Sequence, residues 1–80
     1  MTSLEELRTQ LSDVDDQITD LYEKRMKICE DLGTCKIKNG YKTFDRQREK
    51  NKIAEVMGKV SSDFNKKGIG EVYELLLAIS

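Results

Sequence analysis

Leu4, Leu7, Leu11, Val14, Ile18, Leu21, Ile28, Leu32 and Cys35 recur along the chain in alternating steps of three and four. That spacing predicts one long amphipathic helix whose apolar seam is a heptad repeat. One seam position breaks the pattern: the slot between Leu21 and Ile28 holds Arg25. A guanidinium left unpaired in a core register is costly. Either the seam opens there or something anionic lies against Arg25. Ser3 and Glu6 have the spacing of a capping box, and Glu5 and Glu6 suit the positive end of the helix dipole. Asn39-Gly40 supplies a stop, so helix 1 is expected over about 3–38.

Tyr41-Lys42 reads as a turn, with Thr43 as the N-cap of helix 2 and Asp45 in its first turn. Ile53, Val56, Met57, Val60 and Phe64 supply the apolar positions of helix 2, expected over about 44–63, with Ser61-Ser62-Asp63 near its end. Asn65-Lys66-Lys67-Gly68 reads as a second break, and helix 3 is expected over about 69–80 on Val72, Tyr73, Leu75, Leu76 and Ile79. No stretch alternates as a strand does, and there are no internal repeats or low-complexity tracts. The expectation is an all-α fold, three helices ordered long, medium and short in a single domain over residues 1–80.

Composition adds an oligomeric argument. A chain of 80 residues with 38% hydrophobic and 36% charged residues buries little apolar surface alone. Helix 1 would be about 55 Å long, too long for a compact globule of this size. Association with a second copy of the chain is expected. The net charge of −1 offers no basic excess for nucleic acid. No apolar run is long enough to span a membrane, and the N-terminus lacks the core of a signal peptide, so a cytoplasmic location is expected. Cys29 and Cys35 lie six apart on different faces of one helix and cannot bridge each other. They read as ordinary helix-packing residues. Without histidine or a CxxC pair a zinc site is not expected, and the usual general base near neutral pH is missing. Chemistry here rests on carboxylates, cationic side chains or positioning.

Several charges fall where core is expected. At about 100° per residue, Cys29, Leu32 and Lys36 all point near the direction of Arg25. Arg25 and Lys36 are separated by about 16 Å along the helix axis, which suits a small molecule with two negative groups. The plainer alternative is that Arg25 pairs with an internal carboxylate and Lys36 is solvated. On helix 2, Asp45, Arg48, Glu49 and Lys52 share a face, usually a solvated ladder. Ile53, Val56 and Val60 nevertheless lie near the direction of Glu49, which makes Glu49 the upper end of the apolar stripe, with Arg48 on its flank. Two helices turning charge toward the core are a pocket signature, unless Arg25 and Glu49 simply pair with each other. On helix 3, Ser80 continues a stripe with Ile69, Val72 and Leu76. Arg8 lies about 25 Å up the same rod from Arg25. It serves the same ligand only from another chain; otherwise it is an exposed residue paired with Glu5.

Leu7-Arg8, Arg25 seventeen residues on, Gly33-x-x-Lys36 and Asp45-x-x-Arg48-Glu49 together resemble the all-helical chorismate mutases, the AroQ type, over essentially the whole chain. The resemblance implies an intertwined homodimer whose long first helices span both protomers. It implies conversion of chorismate to prephenate by a Claisen rearrangement, in the shikimate pathway toward phenylalanine and tyrosine, with no cofactor or metal. By position it makes Lys36, Arg48 and Glu49 the catalytic residues. Arg25, and Arg8 from the partner chain, would bind substrate carboxylates, with Arg48 near the ring face and the developing charge. Lys36 would bind a carboxylate and the ether oxygen. Glu49, with the backbone near Asp45, would hold the ring hydroxyl, and Ser80 would lie near a carboxylate.

The chain departs from the family pattern in one respect. A Gln or Glu normally follows the helix-3 serine by about one turn, as a second donor to the ether oxygen, and here the sequence ends at Ser80. Either helix 3 is cut short or that donor is missing. The chain also suits one module of a longer, fused aromatic-pathway enzyme. Within the fold the rival is an isochorismate pyruvate lyase. Outside it the rivals are a non-catalytic helical dimerisation module and a regulatory domain binding an aromatic amino acid. A pure dimerisation module should keep Arg25 out of the seam and Glu49 outward.

Overall fold

The computed structural model describes residues 3–40 and 45–80. They form three helices, α1 (Leu4–Asn39), α2 (Arg46–Gly58) and α3 (Asp63–Ile79), with no strand among the described residues. The all-α expectation and the long first helix hold. The chain divides into two compact units, residues 1–32 and 33–80, and each is described separately.

The first unit consists of the N-terminal part of α1. Ser3 caps it: the Glu6 N–H donates to Ser3 Oγ at 3.1 Å, and the Leu7 N–H to the Ser3 carbonyl at 3.0 Å. This satisfies backbone donors that the first helical turn leaves open. No residue of α1 is buried. The seam from Leu4 to Leu32 lies open, 62% exposed at Leu4 and Leu11 and still 43% at Leu32. Heptad spacing fixes which side of the helix is apolar, but it cannot bury that side without a partner surface.

The second unit opens with the last turns of α1. The helix ends where the sequence places the stop. Gly40 adopts φ +74, a left-handed conformation open to glycine at little cost, and its N–H donates to the Ile37 carbonyl at 3.3 Å. The expected turn at Tyr41-Lys42 and the expected cap at Thr43 lie outside the described residues. Asp45, expected inside the first turn of helix 2, is instead its N-cap. Its backbone is extended, and its carboxylate accepts from the Arg48 N–H at 3.2 Å.

Helix 2 ends earlier than expected, at Gly58, and α3 begins at Asp63 rather than near residue 69. The connection is Lys59–Ser62. Ser62 is extended, and its hydroxyl accepts from the Asn65 N–H at 3.1 Å, which starts α3. Asn65-Lys66-Lys67-Gly68, expected to break the chain, is helix interior. A lone glycine costs a helix only about 1 kcal/mol, less than a serine cap and a packed helix face return.

α2 and α3 pack against each other. Val56 is buried, 8% exposed, with Ile53, Met57 and Val60 half-buried along the same helix. On α3, Gly70 is buried and Ile69, Tyr73, Leu76 and Leu77 are half-buried. Gly70 marks the close approach: a Cβ there would stand 3.2 Å from Met57 Sδ. Val72, expected to share the inward stripe with Ile69 and Leu76, is 50% exposed. The earlier start of α3 supplies a second apolar line, Phe64, Val72, Leu75 and Ile79, all exposed.

Candidate functional site

α1 is 36 residues long, yet only Arg25, Met26, Cys29, Gly33 and Lys36 are less than exposed among its described residues. Those positions follow steps of one, three, four and three, so they share one side of the helix. Two of them, Arg25 and Lys36, carry cations.

In the first unit, Arg25 lies against its own helix. Its Nη1 donates to Cys29 Sγ, one turn on, at 3.7 Å in part-buried surroundings, and it takes part in further interactions. Arg8, two-thirds exposed, pairs with Glu5 one turn earlier at 3.6 Å. An exposed pair of this kind is weak and easily exchanged for another carboxylate. Arg8 is thus an accessible cation rather than a structural one.

In the second unit, Lys36 is half-buried near the end of α1. One turn on, the Asn39 amide closes the helix end, donating to the Cys35 carbonyl at 2.8 Å and to Cys35 Sγ at 3.4 Å. Asp45, Arg48 and Glu49 are brought together at the start of α2. Asp45 bonds the Arg48 N–H through its side chain, and its carbonyl accepts from the Glu49 N–H at 3.2 Å. Glu49 is half-buried in that first turn, at the positive end of the α2 dipole, while Arg48 is exposed on the flank. This is the arrangement the helical-wheel geometry predicts: a carboxylate heading the apolar stripe and a long cationic arm beside it.

Ser80 departs from expectation. Rather than facing inward, it is exposed at the C-terminal cap of α3, and its hydroxyl donates to the Leu76 carbonyl. A shallow groove of the second unit, lined by Val60, Phe64, Lys67, Ile69 and Val72, contains none of the candidate residues. Cys29 meets Arg25 because i and i+4 side chains are neighbours on a helix.

Glu55 and Asp31 lie outside this set and have clear partners. Glu55 accepts from Lys52 Nζ at 3.1 Å and Lys59 Nζ at 3.2 Å, and those bonds hold its carboxyl below the usual range. Asp31 accepts from Lys27 at 3.2 Å and holds that ammonium above its usual range. Both sites are solvated, and neither has the desolvated character of a reactive group.

No helix of the described residues is long and apolar enough to cross a membrane. Neither a curated protein nor a solved structure matches the chain significantly. A family model does: that of chorismate mutase type II matches residues 7–80, a span that includes every candidate residue from Arg8 to Ser80. With that family model covering most of the chain, and with three helices and no strand among the described residues, the chain belongs to the chorismate mutase type II family.

Proposed function

We propose that the protein is a chorismate mutase that turns chorismate into prephenate, and that it works as a homodimer. The observation that carries this reading is the family match over residues 7–80. The half-burial of Arg25, Lys36 and Glu49 supports it from the side of the residues.

The reaction breaks one ether C–O bond and makes one C–C bond within a single molecule. No proton, electron or leaving group enters or departs, so a protein accelerates it by conformation and electrostatics. Arg25, and Arg8 of the partner subunit, take the two carboxylates of the dianion. Held by both ends, the substrate is kept in its compact, reactive conformer, which offsets orientational entropy. As the C–O bond lengthens, negative charge grows on the ether oxygen. Lys36 is the cation assigned to that oxygen, and its attraction is stronger in the transition state than in the ground state. Arg48 lies beside the ring, where its charge complements the same development. Glu49, with the backbone at Asp45, holds the ring hydroxyl. Ser80 is the carboxylate-side hydroxyl by family position.

The homodimer reading draws support from the open seam of α1. Nine apolar or thiol positions at heptad spacing, all exposed, match the surface a second copy would cover. The open ion pair of Arg8 suits an arginine that serves a neighbour's site.

The test is the loss of chorismate absorbance with the purified protein and with Lys36→Ala. Turnover by the wild type is expected, and Lys36→Ala should lose about 100-fold or more in kcat at unchanged helical circular dichroism. Pyruvate released from isochorismate, with no prephenate from chorismate, would reassign the protein as a lyase on the same clamp. If neither substrate reacts, a chain extended one helical turn beyond Ser80 with a glutamine separates two causes. Rescue identifies a missing ether-oxygen donor, and continued inactivity sinks the enzyme assignment in favour of a helical dimerisation module.

A further inference from the structure

We propose that Gly33 is the seat of the substrate on α1: its missing side chain lets the ether bridge settle against the helix backbone within reach of Lys36. The role rests on the mutase reading given above, in which Lys36 is assigned to the ether oxygen. Gly33 is the only glycine within α1, six residues before the helix ends at Asn39. A glycine in a helix interior is less stable than an alanine, because it gives up more backbone freedom on folding. Three other glycines have a visible reason in the fold. Gly40 takes a positive φ past the end of α1, Gly58 is the last residue of α2, and Gly70 receives Met57. Gly33 has no reason of that kind. Beyond its own helical backbone and its two chain neighbours, no atom of the described residues would lie within 4 Å of a Cβ there. Alanine fits the free chain at this position, so the space serves an occupant from outside it.

The position says which occupant. Lys36 follows one turn on, about 60° round the helix. Long helical side chains lean toward the N-terminus, so the Lys36 arm runs over the turn that carries Gly33. The arm still leaves the space at Gly33 open. The notch and the ammonium therefore adjoin, on two half-buried residues of one helix. A second copy laid along the apolar seam fits less well, because Cys35, the last seam position, lies about 160° from Gly33. Gly68 is equally open in the interior of α3, but it is exposed and no candidate residue lies within a turn of it. It supplies the control. A cation aids the ether oxygen only at close range, and a misplacement of about 1 Å costs on the order of 100-fold in rate. A methyl group on the seat lifts the ligand by a distance of that order.

The experiment compares Gly33→Ala, Gly33→Val and Gly68→Ala with the wild type in chorismate kinetics, thermal melting and sedimentation. Gly33→Ala should melt about 4 °C higher than wild type, because alanine is the better helix former. It should nevertheless lose about 10- to 100-fold in kcat/KM, with kcat itself falling, and Gly33→Val should lose more. Gly68→Ala should gain the same stability with kcat and KM unchanged. The sedimenting mass should be that of the wild type throughout. Wild-type kcat in Gly33→Ala would overturn the proposal, and so would a loss confined to KM, which marks binding without placement against Lys36. A loss that comes with a lower melting temperature or a changed mass assigns Gly33 to packing instead. An equal loss in Gly68→Ala would tie the effect to helix stiffness rather than to place, and that too overturns it. If neither the chain nor its extended form converts chorismate, the mutase reading and this role fall together. An active wild type with an indifferent Gly33→Ala removes this role alone.

Discussion

The two units of the chain use their apolar residues in opposite ways. In the second unit Val56 is buried, Gly70 receives Met57 at close range, and α2 and α3 complete each other's surfaces. In the first unit a longer and more regular apolar pattern buries nothing. Regularity of pattern and satisfaction of pattern are different properties. A short helical pair closes on itself because two faces of similar length meet. A single helix has no second face of its own, so the apolar pattern of the first unit is not closed within that unit.

The seam offers the strongest way to break this contrast. Leu11→Lys together with Ile18→Lys should convert a dimer to a monomer in sedimentation across a range of protein concentrations. The loss is about 3–6 kcal/mol per protomer for two apolar side chains, before the cost of confining the new charges. An unchanged mass would mean that the seam is not the surface a second copy covers. The packed unit should respond differently. Val56→Ala should cost about 2 kcal/mol in urea unfolding, with no change in oligomeric state. Ser62→Ala should cost about 1 kcal/mol by removing the cap of α3, and a glycine at the same position should recover most of it.

The smallest effect belongs to Glu55. Its carboxyl is held low by Lys52 and Lys59, so the interaction contributes stability above the ordinary glutamate range and loses it as pH falls through the lowered value. Glu55→Gln should melt slightly below wild type near pH 7. The gap should close in acid and in high salt, because the site is solvated. A gap that survives both would point to a packing role for this side chain instead.

Much of the site was legible because helical geometry is local. Glu49 heading the apolar stripe of α2, Arg48 on its flank and Gly40 ending α1 all follow from spacing alone, and the helices form as that spacing requires. The misplaced elements share one cause. Asn65-Lys66-Lys67-Gly68 has the composition of a break, yet Ser62 caps a helix that runs through it, and packing of Gly70 on Met57 holds that helix in place. Composition measures local preference, and a tertiary contact worth more than that preference overrides it. Ser80 shows the reverse. Of its expected stripe only Ile69 and Leu76 are half-buried; Val72 and Ser80 are exposed, and the Ser80 hydroxyl donates to the Leu76 carbonyl of its own helix.

The sequence by itself determined that the chain is all-helical with three helices, the first of them long, and which side of α1 is apolar. Each of these depends on residues a few positions apart, and the helix converts that spacing directly into direction. Only the tertiary structure decided where α3 begins, that Asp45 caps α2, and that Val56 and Gly70 form the buried centre of the second unit. Those outcomes depend on competition between neighbours, and the winner is set by burial and hydrogen bonding in the folded chain rather than by preference along it.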